Sequence, residues 1–331
     1  MGERVGLPKS AVEDGPVSGI QAMTLDLLWN YRKIGVEKAQ SKGLKGGPLR
    51  IGIVDTGIGD HFNIPKSRRF SYSFLETNDR NDHGSHVASI VKRGLPNAEL
   101  WIAKELDDDG FAADDEFIGI SRACHWLLDN EVNIIVMSIN GVKDPGNGLM
   151  EAVFERAVKN RCVMVISGGN SPSDEPLYPA ADSRVISVGM TDKEFNVHRS
   201  SAKSVDFVNP GVKIIGDSHD GKAIRRTGTS QAGPHIAINV GYIIEEYFMR
   251  HNSWPEVKYV FDVLKKKALD ILQRGRDDDS GYGFVQYEKQ TDYIYEGEGA
   301  DDIITVAKHI PAIWYVLLVL FLLFIVSVFI L

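Results

Sequence analysis

The chain has 331 residues, enough for one large domain or two small ones, and its 43% hydrophobic and 25% charged content is that of an ordinary globular protein. Its net charge of −8, from 37 basic against 45 acidic residues, argues against a nucleic-acid partner, which requires a basic face. The two cysteines, Cys124 and Cys162, fall in apolar segments and read as buried free thiols, which fits a reducing compartment.

The first twenty residues hold no apolar core behind a basic start, so no signal peptide is expected. Gly6 stands where a myristoylation pattern needs Ser or Thr. Apolar β-type runs follow at 50–54, 100–106, 133–139, 162–167 and 185–189. Between them lie helical patterns. In 115–130, Phe117, Ile120, Cys124 and Leu127 recur at three or four residues, and in 147–160 Leu149, Val153, Phe154 and Ala157 do the same. Strands alternating with helices predict an α/β domain, a mostly parallel central sheet with helices on both faces. The acidic clusters 107–109 and 114–116 punctuate the loop before the first of these helices. Further on, EGEGADD at 296–302 reads as a flexible, solvated linker. Residues 310–331 hold 22 residues without a charge, with Trp314 and Tyr315 near their start. At ~1.5 Å per residue such a helix crosses a ~30 Å hydrocarbon core, so a transmembrane helix is expected here. With no signal peptide to carry it across, the globular part should stay in the cytosol, held by a single-pass C-terminal anchor.

The triplet Asp55-Thr56-Gly57 at the end of the first apolar run fits two hydrolytic chemistries. An aspartic protease would need a second such carboxylate beside the first, on an all-β scaffold, and this chain alternates strand and helix. The other chemistry demands a histidine and a serine further on, each in a shaped context. His83 precedes Gly84 at the start of an apolar helix in NDHGSHVASI (81–90), and the glycine allows close backbone approach. Ser230 sits among small residues at the head of another helix in GTSQAGPHIAINV (228–240). There the positive end of the helix dipole favours developing negative charge.

These motifs resemble those of subtilisin-like serine proteases, the subtilase family, in which aspartate, histidine and serine occur in this order. The resemblance runs over about 17–288 and includes GLPNAELWIAKEL (94–106), NIIVMSING (133–141), SGGNS (167–171), VNPGV (208–212) and SGYGFVQ (280–286). It implies a serine endopeptidase with Ser230 as nucleophile, His83 as general base, Asp55 as its orienting carboxylate and Asn170 as oxyanion donor. Ser138, Ile139 and Asn140 would offer backbone hydrogen bonds to an extended substrate, and 108–112, around Gly110, would form the opposite edge. Leu177 in LYPA would floor a shallow apolar specificity pocket, and the acidic runs near the cleft would favour basic residues upstream of the cut. His86 and His235 read as structural. The implied partners are a protein or peptide substrate and, through the C-terminal helix, a membrane; no cofactor and no metal is assigned. The expected domains are an N-terminal extension (1–16), the catalytic domain (17–288), an acidic linker (289–309) and the transmembrane helix (310–331). No long propeptide precedes the matching region, so activity needs another restraint; GLPKS at 6–10, a short proline-bent segment, could lie uncut across the cleft. The alternative is an inactive, membrane-bound binding or assembly module on the same fold.

Overall fold

The computed structural model describes residues 4–8, 12–16, 28–115, 117–141, 146–171 and 175–288. In chain order its elements are β1 (Val12–Pro16), α1 (Trp29–Lys33), α2 (Val36–Ser41), β2 (Arg50–Asp55), β3 (Arg69–Phe70), α3 (His83–Gly94), β4 (Glu99–Lys104), α4 (Ile118–Asp129), β5 (Ile134–Met137), α5 (Leu149–Lys159), β6 (Val163–Ser167), β7 (Ile186–Thr191), β8 (Phe207–Pro210), β9 (Ile214–Asp217), β10 (Ala223–Thr227), α6 (Thr229–His251), α7 (Val257–Lys267), β11 (Ala268–Leu269) and β12 (Phe284–Val285).

Burial on both faces explains why the central strands read as unbroken apolar runs. In β2, Ile51 and Ile53 point into one core cluster and Val54 into the other. The same alternation sends Ile134, Val136, Val163 and Val165 to the first side, and Ile135, Met137, Met164 and Ile166 to the second. The first side is covered by α3 and α6, the second by α4 and α5. The nine-stranded sheet has the order β11-β12-β8-β7-β6-β5-β2-β4-β3. All its pairings are parallel except β11 with β12. Sheet and helix layers are therefore those of the expected α/β fold. A separate antiparallel sheet, β1-β10-β9, stands apart from the main one.

The longest described helix, α6, carries no polar face over its first two-thirds. Every residue from 229 to 245 is buried, so the helix runs through the interior beneath β5 to β8. The short strands β8 to β12 are less regular and were not read from the sequence. Cys124 and Cys162 are both free and buried, and burial pushes the Cys124 thiol up to about 12. Among the described residues no helix is long and apolar enough to cross a membrane. The expected linker (289–309) and transmembrane helix (310–331) lie outside the described residues.

Candidate active site

After β2 the chain passes through α3 to β4 on one side of β2, and later adds β5 on its other side. The C-terminal end of β2 is thus a switch point of the sheet, where open α/β sheets form crevices. Asp55 ends that strand and is fully buried. His83 Nδ1 lies 2.8 Å from Asp55 Oδ1 and 3.0 Å from Oδ2. A carboxylate only accepts, so Nδ1 carries the proton and Nε2 is left as the basic nitrogen. The Thr56 N–H also donates to Asp55 Oδ1 at 2.8 Å.

Two glycines allow the strand end and the histidine helix to meet. Gly57 has φ +113°, and a Cβ on Gly84 would sit 2.2 Å from the Gly57 carbonyl oxygen. Asp79, only 2% exposed, then ties the two pieces together. Its Oδ1 accepts from Thr56 Oγ1 at 2.9 Å, Asn81 N at 3.0 Å and Asp82 N at 3.1 Å. Its Oδ2 accepts from Ser85 N at 2.9 Å and Ser85 Oγ at 2.6 Å. Thr56 Oγ1 in turn accepts from Gly84 N at 2.9 Å, so the open N–H groups of α3 are capped from a distance. Burial, the largest influence on Asp79, pushes its carboxyl up, but the bonds from Ser85, Thr56 and Asn81 outweigh it and hold it below its usual value. Thr56 was named from the sequence only as part of the triplet, and Asp79 was not picked out; an aspartate four residues before a helix-opening histidine is the signal that was there.

Ser230 is the second residue of α6. Pro234, inside the same helix, has no N–H to give back to the Ser230 carbonyl four residues earlier. Ser138 Oγ supplies that bond instead, at 3.3 Å, and receives one from Ser167 Oγ at 3.3 Å. Asn170 is held by its oxygen: Oδ1 accepts from Thr229 N at 2.8 Å and Thr229 Oγ1 at 3.0 Å. The amide is thereby oriented, and its Nδ2 lies 3.0 Å from where a Cβ on Gly228 would stand. Asn170, His83, Ser230 and Gln231 line one cleft of about 520 Å³. Among the described residues, no direct hydrogen bond joins His83 to Ser230; contacts of this kind commonly tighten only when substrate is bound.

The cleft holds a piece of the chain itself. Gly6 N donates to the Asn140 carbonyl at 3.0 Å and Asn140 N to the Gly6 carbonyl at 2.9 Å. On the other flank Leu7 N donates to the Gly110 carbonyl at 2.8 Å and Ala112 N to the Val5 carbonyl at 3.0 Å. Residues 5–7 are therefore a strand added between two edges of the domain, antiparallel to both. Pro8 follows and lines the cleft with His83 and Ser230. Beyond residues 9–11, β1 pairs antiparallel with β10, with Val12 opposite Thr227 and Glu13 opposite Arg226. The N-terminal segment is thus bonded to the rest of the domain at residues 5–7 and again at 12–16.

Of the expected substrate-contacting residues, Asn140 and Gly110 make backbone bonds to this strand. Ser138 and Ile139 make none to it, and Pro8, the next residue of the segment, presents no N–H; their side chains face inward, the Ser138 hydroxyl to the Ser230 carbonyl and Ile139 into the second core cluster. Leu177 lines the cleft, its backbone N–H bonded to the Gly168 carbonyl at 2.9 Å. The acidic runs are partly structural. Asp107 Oδ1 accepts from Asp109 N and Phe111 N and shapes the turn, while Asp114 accepts from Ile118 N and Gly119 N at the start of α4. His86 is buried with Nε2 3.2 Å from the Ile214 carbonyl, and burial drives its pKa well down. His235 donates from Nδ1 to the Gln231 carbonyl at 2.7 Å and accepts from Asn30 Nδ2 at 2.7 Å. The Asp-Ser-Gly triplet that begins at Asp279 lies in a turn, where Asp279 pairs with Lys203 at 3.4 Å and its N–H donates to Asp277 Oδ1.

Comparison with known proteins places this geometry in context. The sequence profile of the subtilase family matches residues 46–283. The chain is 28% identical over 282 residues to the minor extracellular protease Epr of Bacillus subtilis (strain 168), covering 81% of itself but 42% of Epr. It is 29% identical over 276 residues to subtilisin BL of Lederbergia lenta, covering 80% of itself and 98% of that protein. The solved structure titled as that of a lanthipeptide protease superposes with a TM-score of 0.70 at 22% identity, over 84% of this chain and 98% of that one, and so shares its fold.

Proposed function

The chain belongs to the subtilase family of serine endopeptidases, and on that footing we propose that it hydrolyses peptide bonds of protein substrates with Asp55, His83, Ser230 and Asn170 as its catalytic residues. The observation that carries this reading is the seating of His83 Nδ1 against both oxygens of buried Asp55, within the cleft that Ser230 lines. Ser230 Oγ attacks the scissile carbonyl and gives its proton to His83 Nε2, while Asp55 stabilises the imidazolium that forms. The negative charge on the former carbonyl oxygen is received by Asn170 Nδ2 and the Ser230 N–H, at the N-terminal end of α6. Losing such a side-chain donor costs ~10²–10³ in turnover. Collapse breaks the C–N bond, His83 returns the proton to the leaving amine, and water repeats the cycle on the acyl-serine.

In the resting chain the segment around Gly6 to Pro8 is read as the restraint, since it takes the substrate's place. The membrane part of the proposal rests on sequence alone: the uncharged run 310–331 would anchor the chain, with the catalytic domain on the cytosolic side. Retention in the membrane pellet after alkaline carbonate extraction tests it.

The activity is tested by fluorophosphonate labelling of the full chain, of Ser230→Ala and of Gly6→Val, the last so that a seated segment cannot hide the nucleophile. Labelling of every form except Ser230→Ala is expected. Equal labelling of Ser230→Ala would remove Ser230 from the role, and silence of the native and Gly6→Val chains together would favour the inactive binding module.

A further inference from the structure

The main-chain bonds that hold residues 5–7 are blind to sequence, but one side chain of the segment finds a shaped partner outside the catalytic centre. Arg4, four residues before Pro8, places its guanidinium carbon 4.7 Å from the centroid of the Phe111 ring. Its Nη2 donates to the Ala112 carbonyl at 3.3 Å. Phe111 is 37% exposed, a large aromatic kept at the rim of a cleft. The turn that presents it is fixed, because Asp107 Oδ1 binds Phe111 N at 2.8 Å and Leu106 bridges to Ala112. Two carboxylates belong to the same rim. Asp109 lines the same cleft, and Asp115 Oδ1 accepts from Val5 N at 3.1 Å, one residue from the cation. Asp108 is taken by Lys104 at 3.0 Å, and Asp114 by α4.

We propose that the rim formed by Phe111, Asp109, Asp115 and the Ala112 carbonyl is a subsite for a cationic side chain of protein substrates, four residues before the residue that occupies the position of Pro8. The inference rests on the reading of this cleft as an endopeptidase groove. Strand register makes the geometry transferable: any peptide that adopts the bonds of residues 5–7 carries its own preceding residue over Phe111. Arginine should exceed lysine, because its planar guanidinium stacks on the ring while still reaching the carbonyl. An acidic residue there meets two carboxylates and a ring face of like polarity.

The test uses the full chain and three quenched fluorescent peptides that differ only in Arg, Lys or Glu ahead of Val-Gly-Leu. The expected order of kcat/KM is Arg, Lys, Glu, with roughly tenfold between the extremes at low salt, shrinking at 0.5 M NaCl. Phe111→Ala and Asp109→Asn should each reduce that ratio. Arg and Glu peptides cleaved within twofold of each other would overturn the subsite and leave the hydrolase standing; fluorophosphonate labelling without turnover of any of the three would do the same. Absence of both labelling and turnover in the full chain and in Gly6→Val alike would sink the hydrolase reading and the subsite with it.

Discussion

Asp79→Asn strikes the knot that joins Asp55 to His83 without touching either. The native carboxylate accepts five hydrogen bonds between 2.6 and 3.1 Å, from Thr56, Asn81, Asp82 and, twice, Ser85. An asparagine oxygen in the place of Oδ1 serves three of these donors, and its NH₂ group meets the other two, the Ser85 N–H and hydroxyl, donor against donor. At about 1 kcal/mol for each stranded donor, the low end for a buried group, the substitution costs about 2 kcal/mol. For a domain of this size that lowers Tm by roughly 4–8 °C. The chemistry should suffer separately, because Thr56 positions Asp55 through its N–H and the helix of His83 through its hydroxyl. A displacement on the order of 1 Å in such a pair is worth up to ~10²-fold. The expected result is a kcat down by about 10- to 100-fold with KM within about threefold, since Asp79 touches no substrate. Scanning fluorimetry and steady-state kinetics read both effects in one preparation. Because the folded carboxyl is held below its usual value, its stabilisation is present at neutral pH and is lost as pH falls below about 3.8, the ordinary value, through the folded one. The variant should lack that acid limb. A Tm within about 2 °C of the native protein together with an unchanged kcat would show that the knot holds nothing.

Gly6→Val should evict the resident strand, since a Cβ there would lie 2.6 Å from the Gly110 carbonyl oxygen and 3.0 Å from Phe111 Cδ1. Fluorophosphonate labelling is expected to accelerate about tenfold; a rate equal to or below the native one would show that the segment does not restrain the site. His235 is buried with both ring nitrogens committed, and burial lowers its pKa to about 4. The unfolded chain therefore binds the extra proton first, and stability is lost as pH falls from about 6.5 towards 4, by roughly 3 kcal/mol at ~1.4 kcal/mol per unit. His235→Gln keeps an acceptor and a donor but cannot titrate, so its Tm should fall less than the native Tm between pH 7 and pH 4.5. Parallel losses in the two proteins would place the acid sensitivity elsewhere.

The parts of this molecule legible in its sequence are those whose physics is local. β2 reads as Ile-Gly-Ile-Val because both sheet faces are covered, and the segments around His83 and Ser230 announce helix starts through glycine and small residues. Asp55, His83 and Ser230 could be named because each needs a distinctive neighbour in sequence. Asp79 was missed because its meaning depends on Thr56, which reaches it across 23 positions. The strand at 5–7 is held by backbone atoms, and backbone atoms leave no trace in composition; only Pro8 hinted at it. Acidic runs were legible only in part for the opposite reason, since the charge of Asp107 and Asp114 is visible while the turn and the helix start they serve are not. Short strands such as β10, Ala-Ile-Arg-Arg-Thr, carry too few apolar residues to signal themselves.

Helix α6 is lashed to its surroundings well beyond the nucleophile. Tyr242 Oη donates to the Gly94 carbonyl at the end of the histidine helix, and Glu245 accepts from Gly46 and Gly47. Ser230 and His83 therefore ride on two interior elements fastened to each other, whereas the strand over them is secured by a few main-chain bonds at an exposed rim. Regions of a protein open in order of how little holds them. Gentle warming or dilute denaturant will lift the cover while the machinery beneath stays assembled, so this chain should quicken before it fails.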